Sequence, residues 1–501
     1  MAVLSPSPRS AAPAASLPDA AAAERRRWLA LVVLCIGQLM IVLDATVVNV
    51  ALPSIQRDLH FSQASLAWVV NGYLITFGGL LLLGGRLGDL LGRRRVFLGG
   101  LAAFTVASVL CGIAPGQELL VGARFLQGMG AATMSAMVLG ILVTLFPTPR
   151  QTARAMSIYA FVASSGGAIG LLLGGVLTQT LSWHWIFFIN VPIGIAAGVL
   201  GVLLIPRHEG IGLRHGIDVT GAVLVTAAPS LAIYAILQAS EHGWGTVETL
   251  VLFAGALLLA ALFVRLESRV RNPLVPLRIF RSRNATGANL VRTLFPVGMF
   301  GSFFLGPLYL QHVLGYSAMR TGLAYLPQSV LIGFVSIMVV GRLVSRFGAR
   351  STLIAGLTFV AAGLALFARV PVDGNYVVDV LPVTLLLGVG AGLVFMPSAT
   401  LSMAGAGPGD AGILSGLANV AVQMGAALGV AVLAGVSASR TSSLVAEGVS
   451  QPAALTSGFH LAFAISALCL LAAVGVAAAV LRSAPPAPRR AVVVETAIGV
   501  E

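Results

Sequence analysis

The sequence predicts an all-α polytopic membrane protein of fourteen transmembrane helices, built from two related groups of six with two extra helices between them. Three observations carry this. The 501 residues are 57% hydrophobic and only 9% charged, with a mean hydropathy of +0.96, whereas a soluble domain carries about 25% charged residues. The thirty basic residues fall in an alternating pattern along the chain. A loop sequence in the first half recurs in the second at a constant spacing.

The first 24 residues are rich in Ala, Pro and Ser and read as a disordered cytosolic tail, with too little apolar surface to pack. The apolar run that follows is too long for a signal peptide and contains Asp44. Apolar runs then fall near residues 28–52, 65–84, 96–114, 118–146, 154–178, 186–205, 219–238, 247–265, 286–311, 322–341, 351–368, 378–402, 412–436 and 457–481. Each is close to the roughly 20 residues that cover the hydrocarbon layer as a helix.

Alternating these runs across a membrane from a cytosolic N-terminus puts 24 of the 30 basic residues on the cytosolic side, with only Arg57, Arg320, Arg369 and Arg440 outside and Arg124 and Arg292 within helices. Such asymmetry is the positive-inside rule and leaves both termini cytosolic. The loop near 403–410 carries no arginine and does not disturb the pattern. The formal charge of +13 therefore faces anionic lipid headgroups rather than nucleic acid. Every basic residue is arginine, a uniformity that fits GC-rich codon usage better than thirty separate bidentate sites. Cys35, Cys111 and Cys469 lie in apolar runs without metal-ligand spacing and read as core residues.

Gly85-Arg86-Leu87 with Gly92 and Arg94 recurs as Gly341-Arg342-Leu343 with Gly348 and Arg350, an offset of 256 residues that also carries the first apolar run onto the ninth. The expected organisation is a tail (1–24), a first six-helix bundle (25–205), a two-helix insert with flanking cytosolic loops (206–283), a second six-helix bundle (284–482) and a cytosolic tail (483–501). Parallel six-helix repeats about a central pathway are a transporter architecture.

Asp44 is the most informative single residue. It lies about 24 Å of helix rise beyond Trp28, inside a hydrocarbon layer about 30 Å thick, where an unpaired carboxylate costs several kcal/mol. No other acid falls clearly in mid-membrane, since Asp218, Glu241 and Glu267 lie at helix ends. Asp89 sits in a short glycine-rich loop followed by Arg93, Arg94 and Arg95. Glycines there permit a tight turn, and the acid can pair with an arginine or cap a helix; the plainer reading is a positive topological anchor. No H-E-x-x-H, G-x-S-x-G, Walker A or dinucleotide fingerprint is present, so neither an enzyme nor a bound cofactor or metal is expected. The sequon Asn284-Ala285-Thr286 lies on the arginine-rich side and is read as chance.

Five stretches together resemble a known family. The loop Gly85–Arg95 resembles the signature that follows helix 2 in the major facilitator superfamily, and Leu120-Val121-Gly122-Ala123-Arg124-Phe125-Leu126-Gln127-Gly128 its helix-4 motif. Leu43-Asp44 through Pro53, Trp183-His184-Trp185 through Gly194, and Tyr309-Leu310-Gln311-His312 through Ser317 are similar to stretches of the fourteen-helix drug:proton antiporter branch. The resemblance covers about residues 28–481. It implies a proton-coupled exporter working by alternating access, in which Gly85, Asp89, Gly92, Arg93 and Arg94 form a cytosolic gate that locks against a second-half helix.

Two departures stand out. Leu171 occupies the helix-5 position where the antiporter motif carries proline, while the packing glycines Gly170, Gly174 and Gly175 remain. Ser345 stands where the mate of Asp89 would lie in the second repeat.

By the same resemblance helices 1 and 4 are neighbours, which would bring Asp44 to Arg124. Burial disfavours the ionised acid and a nearby cation favours it, so the pair could couple protonation to exposure; a static structural ion pair is the alternative. Arg292 either snorkels to the headgroups or faces a cavity. A large, mostly apolar substrate cavity would suit Gln127, Arg292, Phe303, Tyr325, Gln328, Asn419 and Gln423, with Met299 beside Phe303; each of these alone could equally be packing. Met129, Met134 and Met137 read as core filling. The expected partners are small amphiphilic substrates, protons and membrane lipids, with no nucleic acid, for a monomer in the cell membrane, of bacterial inner-membrane type. The rival readings are an exporter of one endogenous metabolite, such as a self-made antibiotic, and a non-transporting receptor or scaffold.

Overall fold

The computed structural model describes residues 17–146, 148–207, 210, 212, 219–270, 273, 282–403 and 411–481. Among these the regular structure is helical throughout, as expected where no water is present to satisfy a lipid-exposed backbone. The first bundle comprises α1 (Leu17–Asp58), α2 (Ala67–Leu91), α3 (Arg93–Gly112), α4 (Gln117–Leu145), α5 (Pro149–Thr180) and α6 (Trp185–Leu204). The insert is α7 (Val219–His242) and α8 (Val247–Glu267). The second bundle begins with α9 (Arg283–Val313), whose last turn is π-helical, and continues through α10 (318–347), α11 (349–367), α12 (Tyr376–Ser402), α13 (Ala411–Ala446) and α14 (Gln451–Ala479).

Twelve helical stretches are long and apolar enough to cross a membrane among the described residues. One of them, Ala318–Phe367, spans 50 residues and is divided by Gly348, whose φ of +82° is not helical. With that division and α5, these segments fit the fourteen crossings expected from the sequence. The tail was expected to stay unstructured to residue 24, but the helix starts at Leu17. Ala20–Ala23 are the strongest helix formers, and Asp19 near the start complements the helix dipole. Residues 1–16 and 482–501, including all of the expected second tail, lie outside the described residues, as do 404–410.

The 256-residue repeat is structural as well as sequential. Gly92 (φ +95°) and Gly348 (φ +82°) both occupy backbone open to glycine, each at the turn joining the second and third helices of its bundle. Arg94 donates to the carbonyl of Val202 at the end of α6, and Arg350 donates to that of Ala478 at the end of α14. Each arginine thus satisfies an orphan carbonyl at a helix C-terminus. Ser345, in the place of an acid, turns its hydroxyl onto the carbonyl of Arg342 at 2.9 Å.

The bundles meet mainly through α2 with α13 and α5 with α10. Small residues bring these helices together: Gly78 lies against Gln423 and Met424, and Gly175 against Ala318 and Met319. Three hydrogen bonds between the bundles lie at their arginine-poor ends. Gln63 donates to Ser437 at 3.1 Å, Gln311 to the carbonyl of Val50 at 2.9 Å, and the Met319 amide to Gln179 at 3.2 Å. The insert packs on the first bundle at α2, where Gly79 faces Thr226, and on α13.

Candidate functional site

Asp44 and Arg124 meet in the centre of the first bundle. Arg124 Nη1 lies 2.5 Å from Asp44 Oδ2, and both residues are 1% exposed. Two charges so deep must be paired and fully hydrogen-bonded, and the surrounding helices do this. Gln127, one turn beyond Arg124 on α4, donates to Asp44 Oδ1 at 2.7 Å and accepts from Arg124 Nη1 at 2.7 Å. It also donates to Ser108 on α3 at 2.9 Å. Asn190 on α6 reaches Asp44 Oδ1 at 3.5 Å. On the other side Arg124 Nε donates to the Val69 carbonyl of α2 at 2.7 Å, and its guanidinium lies 4.5 Å from the centre of the Tyr73 ring. Five helices thus contribute to one polar knot.

Glycines make the close approach possible. Gly170 on α5 faces Thr46 and the Leu43 carbonyl on either side of Asp44, and Gly174 lies against the backbone of Val47. A Cβ at 174 would sit 2.8 Å from the Val47 carbonyl oxygen, so these glycines seat α5 directly behind the acid. Gly175 faces the opposite bundle instead, at Ala318 and Met319. Leu171, in the expected proline position, is 1% exposed and keeps α5 unbroken, with its carbonyl against Gly322 of α10.

The stretch expected to be a loop is helix up to Leu91 and again from Arg93, so Asp89 lies in the last turn of α2 and the turn itself is Gly92 alone, because only glycine adopts its positive φ without strain. Asp89 approaches Arg93 at 3.7 Å, within its own turn. Arg93 also donates to the Gly140 carbonyl of α4 at 2.8 Å. The contact expected between Asp89 and a second-half helix is not present among the described residues, and residues 404–410 of that half lie outside them. Gly92 supplies the positive φ of the turn, while a Cβ at Gly85 would meet open space.

Several residues expected to line a substrate cavity are placed elsewhere in this conformation. Gln127 is 0% exposed and belongs to the Asp44 network. Tyr325 is buried, its hydroxyl donating to the Ser302 carbonyl at 3.0 Å over Gly306, with Phe303 at 5.8 Å between ring centres. Gln328 is 0% exposed, and neither atom of its amide has a hydrogen-bond partner. These residues form a packed layer between α9 and α10 because Ser302 and Gly306 leave room for the tyrosine ring. Gln423 is packed at the α2–α13 junction against Gly78, whereas Asn419 on the same helix is exposed. Arg292 is half-buried and directs Nε to the Ala418 carbonyl on α13 at 3.4 Å, inward rather than toward lipid headgroups.

Sequence reasoning missed Asn190, Ser108 and Tyr73. The one signal available was a polar residue in an otherwise apolar helix, Asn190 within Phe188-Ile189-Asn190-Val191. In the second bundle the 256-residue offset places Phe300 and Val380 at the positions of Asp44 and Arg124, so the ion pair has no counterpart there.

The profile of the Major Facilitator Superfamily matches residues 34–430. The chain is 40% identical over 458 residues to the puromycin resistance protein of Streptomyces alboniger, covering 89% of this chain and 90% of that protein. It is 41% identical over 463 residues to the cephamycin export protein of Amycolatopsis lactamdurans, covering 91% and 94%. The tetracenomycin C resistance and export protein of Streptomyces glaucescens is 35% identical over 415 residues, covering 83% and 77%. Among solved structures, the POT family transporter PepTSo superposes with a TM-score of 0.64 at 17% identity, covering 91% of this chain and 98% of that one. That likeness speaks for the fold alone.

Proposed function

The chain belongs to the major facilitator superfamily, and we propose that it is a proton-coupled exporter of amphiphilic drugs or antibiotics in which Asp44 carries the proton. Membership with resistance and export proteins makes it a transporter rather than an enzyme. The coupling rests on one observation: a mid-membrane carboxylate held by an arginine and two amides, sealed at 1% exposure. Protonation removes the charge that holds Arg124 and Gln127, and reorganising that knot shifts α1, α4 and α6 relative to one another. The glycine contacts of α5 behind Asp44 carry such a shift to α10 through Gly175 and Gly322.

One proton falling through 100 mV releases about 2.3 kcal/mol, enough to hold a neutral substrate at roughly a fifty-fold gradient. A single acid thus suffices for useful export. The arginine-rich ends face the cytosol of a bacterial cell, with Asp89 and Arg93 at the inner gate and the Gln63, Gln311 and Gln179 contacts closing the outer side. The protein acts as a monomer. Three relatives are named for one antibiotic each and another as a multidrug resistance protein, so an exporter of a single self-made compound is the second reading beside a pump for several drugs.

Transport by proteoliposomes under an imposed pH gradient tests the proposal. Export that responds to the gradient in wild type and is lost in Asp44→Asn supports it. Equal export by wild type and Asp44→Asn rules out Asp44 as the proton site, and flux insensitive to collapse of the gradient rules out coupling.

A further inference from the structure

The arginine-rich end of the first bundle holds a cavity of about 240 Å³ lined by Arg27, Arg93 and Arg94 together with Ile141, Thr144, Leu145 and Pro206. Three arginines, one from α1 and two from the first turn of α3, line it. Arg93 is partly committed, to the Gly140 carbonyl and to Asp89 at 3.7 Å, and Arg94 spends one nitrogen on the Val202 carbonyl. Arg27 is exposed and has no hydrogen-bond or ion-pair partner among the described residues. Asp89 offsets one charge, leaving two cations facing a shared space. Like charges so arranged repel unless an anion lies between them.

Two further features sort among anions. Arg93 and Arg94 of the first turn of α3 line the cavity, and no side chain caps that helix end, so the helix dipole adds positive potential there. Ile141, Leu145 and Pro206 give the rest of the lining apolar surface, and Thr144 beside them spends its hydroxyl proton on the Ile141 carbonyl. Trp28, adjacent to Arg27, lies tilted against Phe146 at 4.8 Å with Arg154 over its ring at 5.0 Å, the kind of aromatic and cationic pairing found at headgroup level.

We propose that this cavity binds a phosphate group, with an anionic phospholipid of the cytosolic leaflet as its occupant. Arg27 and Arg94 hold the phosphate oxygens by charge-assisted hydrogen bonds, and the apolar part of the lining receives the start of the acyl region. The site does not depend on what the protein exports.

Thermal unfolding of the purified full-length chain, titrated with short-chain phosphatidylglycerol, with phosphatidylcholine of equal chain length, or with inorganic phosphate, tests this. Phosphatidylglycerol is expected to raise the midpoint at concentrations where phosphatidylcholine does not. Arg27→Gln, an exposed change that leaves the fold intact, is expected to raise the concentration required by about tenfold, the usual worth of one charged hydrogen bond. The Arg27→Gln/Arg94→Gln double variant is expected to abolish the difference between the two lipids. Arginine-dependent stabilisation by inorganic phosphate with none by phosphatidylglycerol overturns the lipid as occupant and leaves a free-anion site. Equal effects of the two lipids, or an undiminished phosphatidylglycerol effect in Arg27→Gln, overturn the site itself.

Discussion

Gln127 holds Asp44 while also holding the cation that neutralises it: its amide nitrogen lies 2.7 Å from Asp44 Oδ1 and its carbonyl 2.7 Å from Arg124 Nη1. The three residues close a ring of hydrogen bonds, so neither partner of the ion pair can move without disturbing the amide. Gln127→Leu removes the donor to Asp44 Oδ1, leaving only Asn190 at 3.5 Å, and strands Ser108. A loss of about 1–3 kcal/mol is expected, read as a lowered unfolding midpoint, together with impaired gradient-driven transport. Unchanged stability would mean that the ring does not operate as a unit.

Breaking the ion pair from one side should cost more than removing both charges. Arg124→Gln or Asp44→Leu alone leaves a buried charge without its counterion, at about 3–5 kcal/mol. The double variant is expected to be more stable than the Asp44→Leu single variant. Unfolding midpoints of the four species form a thermodynamic cycle, and strict additivity would show that the two residues are not coupled.

Neighbouring glycines of α5 should behave in opposite ways. A Cβ on Gly174 meets the Val47 backbone at 2.8 and 3.0 Å, which cannot yield, whereas one on Gly167 meets nothing within 4 Å. Gly174→Ala is expected to destabilise by about 1–3 kcal/mol through overpacking. Gly167→Ala is expected to be neutral or to stabilise by up to about 1 kcal/mol from helix propensity. Similar effects at both positions would refute the packing of α5 on α1 described above.

The two turn glycines at equivalent places in the repeat share a backbone requirement. Gly92→Ala and Gly348→Ala each force an L-residue to positive φ, expected to cost about 1–2 kcal/mol, while Gly85→Ala, with open space at its Cβ, is expected to be tolerated. Transport and folded yield of the three variants separate the cases.

Alternating access requires the arginine-poor ends to part. Gln63 and Ser437 lie across the two bundles within 3.1 Å. Cysteines at both positions, joined by a short reducible bifunctional thiol reagent that spans the length of the glutamine side chain, should stop transport when linked and release it when the linker is reduced. A cross-linked protein that transports normally would show that these ends do not separate during the cycle.

Much of this protein was legible before its helices were assembled. Asp44 and Arg124 were marked by the cost of charge in hydrocarbon, and their pairing followed from helix adjacency in the family that the motifs resemble. The turn glycines were marked by a repeat in sequence, because a positive φ narrows the choice of residue. Gln127 was expected at a cavity and in this conformation lies in the Asp44 network, for a physical reason: an amide on an apolar helix gives the same pattern whether its face meets a pathway or a neighbouring helix. Tyr325 and Gln328 are buried between helices here in the same way, because the space made by Ser302 and Gly306 arises only when α9 and α10 cross. Asn190 went unremarked since its importance lies wholly in its distance to a residue 146 positions away.

Composition, arginine placement and the 256-residue offset by themselves determined a helical membrane protein of two related bundles, because the bilayer imposes element type and length on any chain that enters it. Which polar side chains close around Asp44, which glycines bring α5 behind it, and where unneutralised arginines surround a cavity were decided by tertiary structure alone. Those depend on which helix faces meet, and side-chain atoms a few ångströms apart here come from five separate helices.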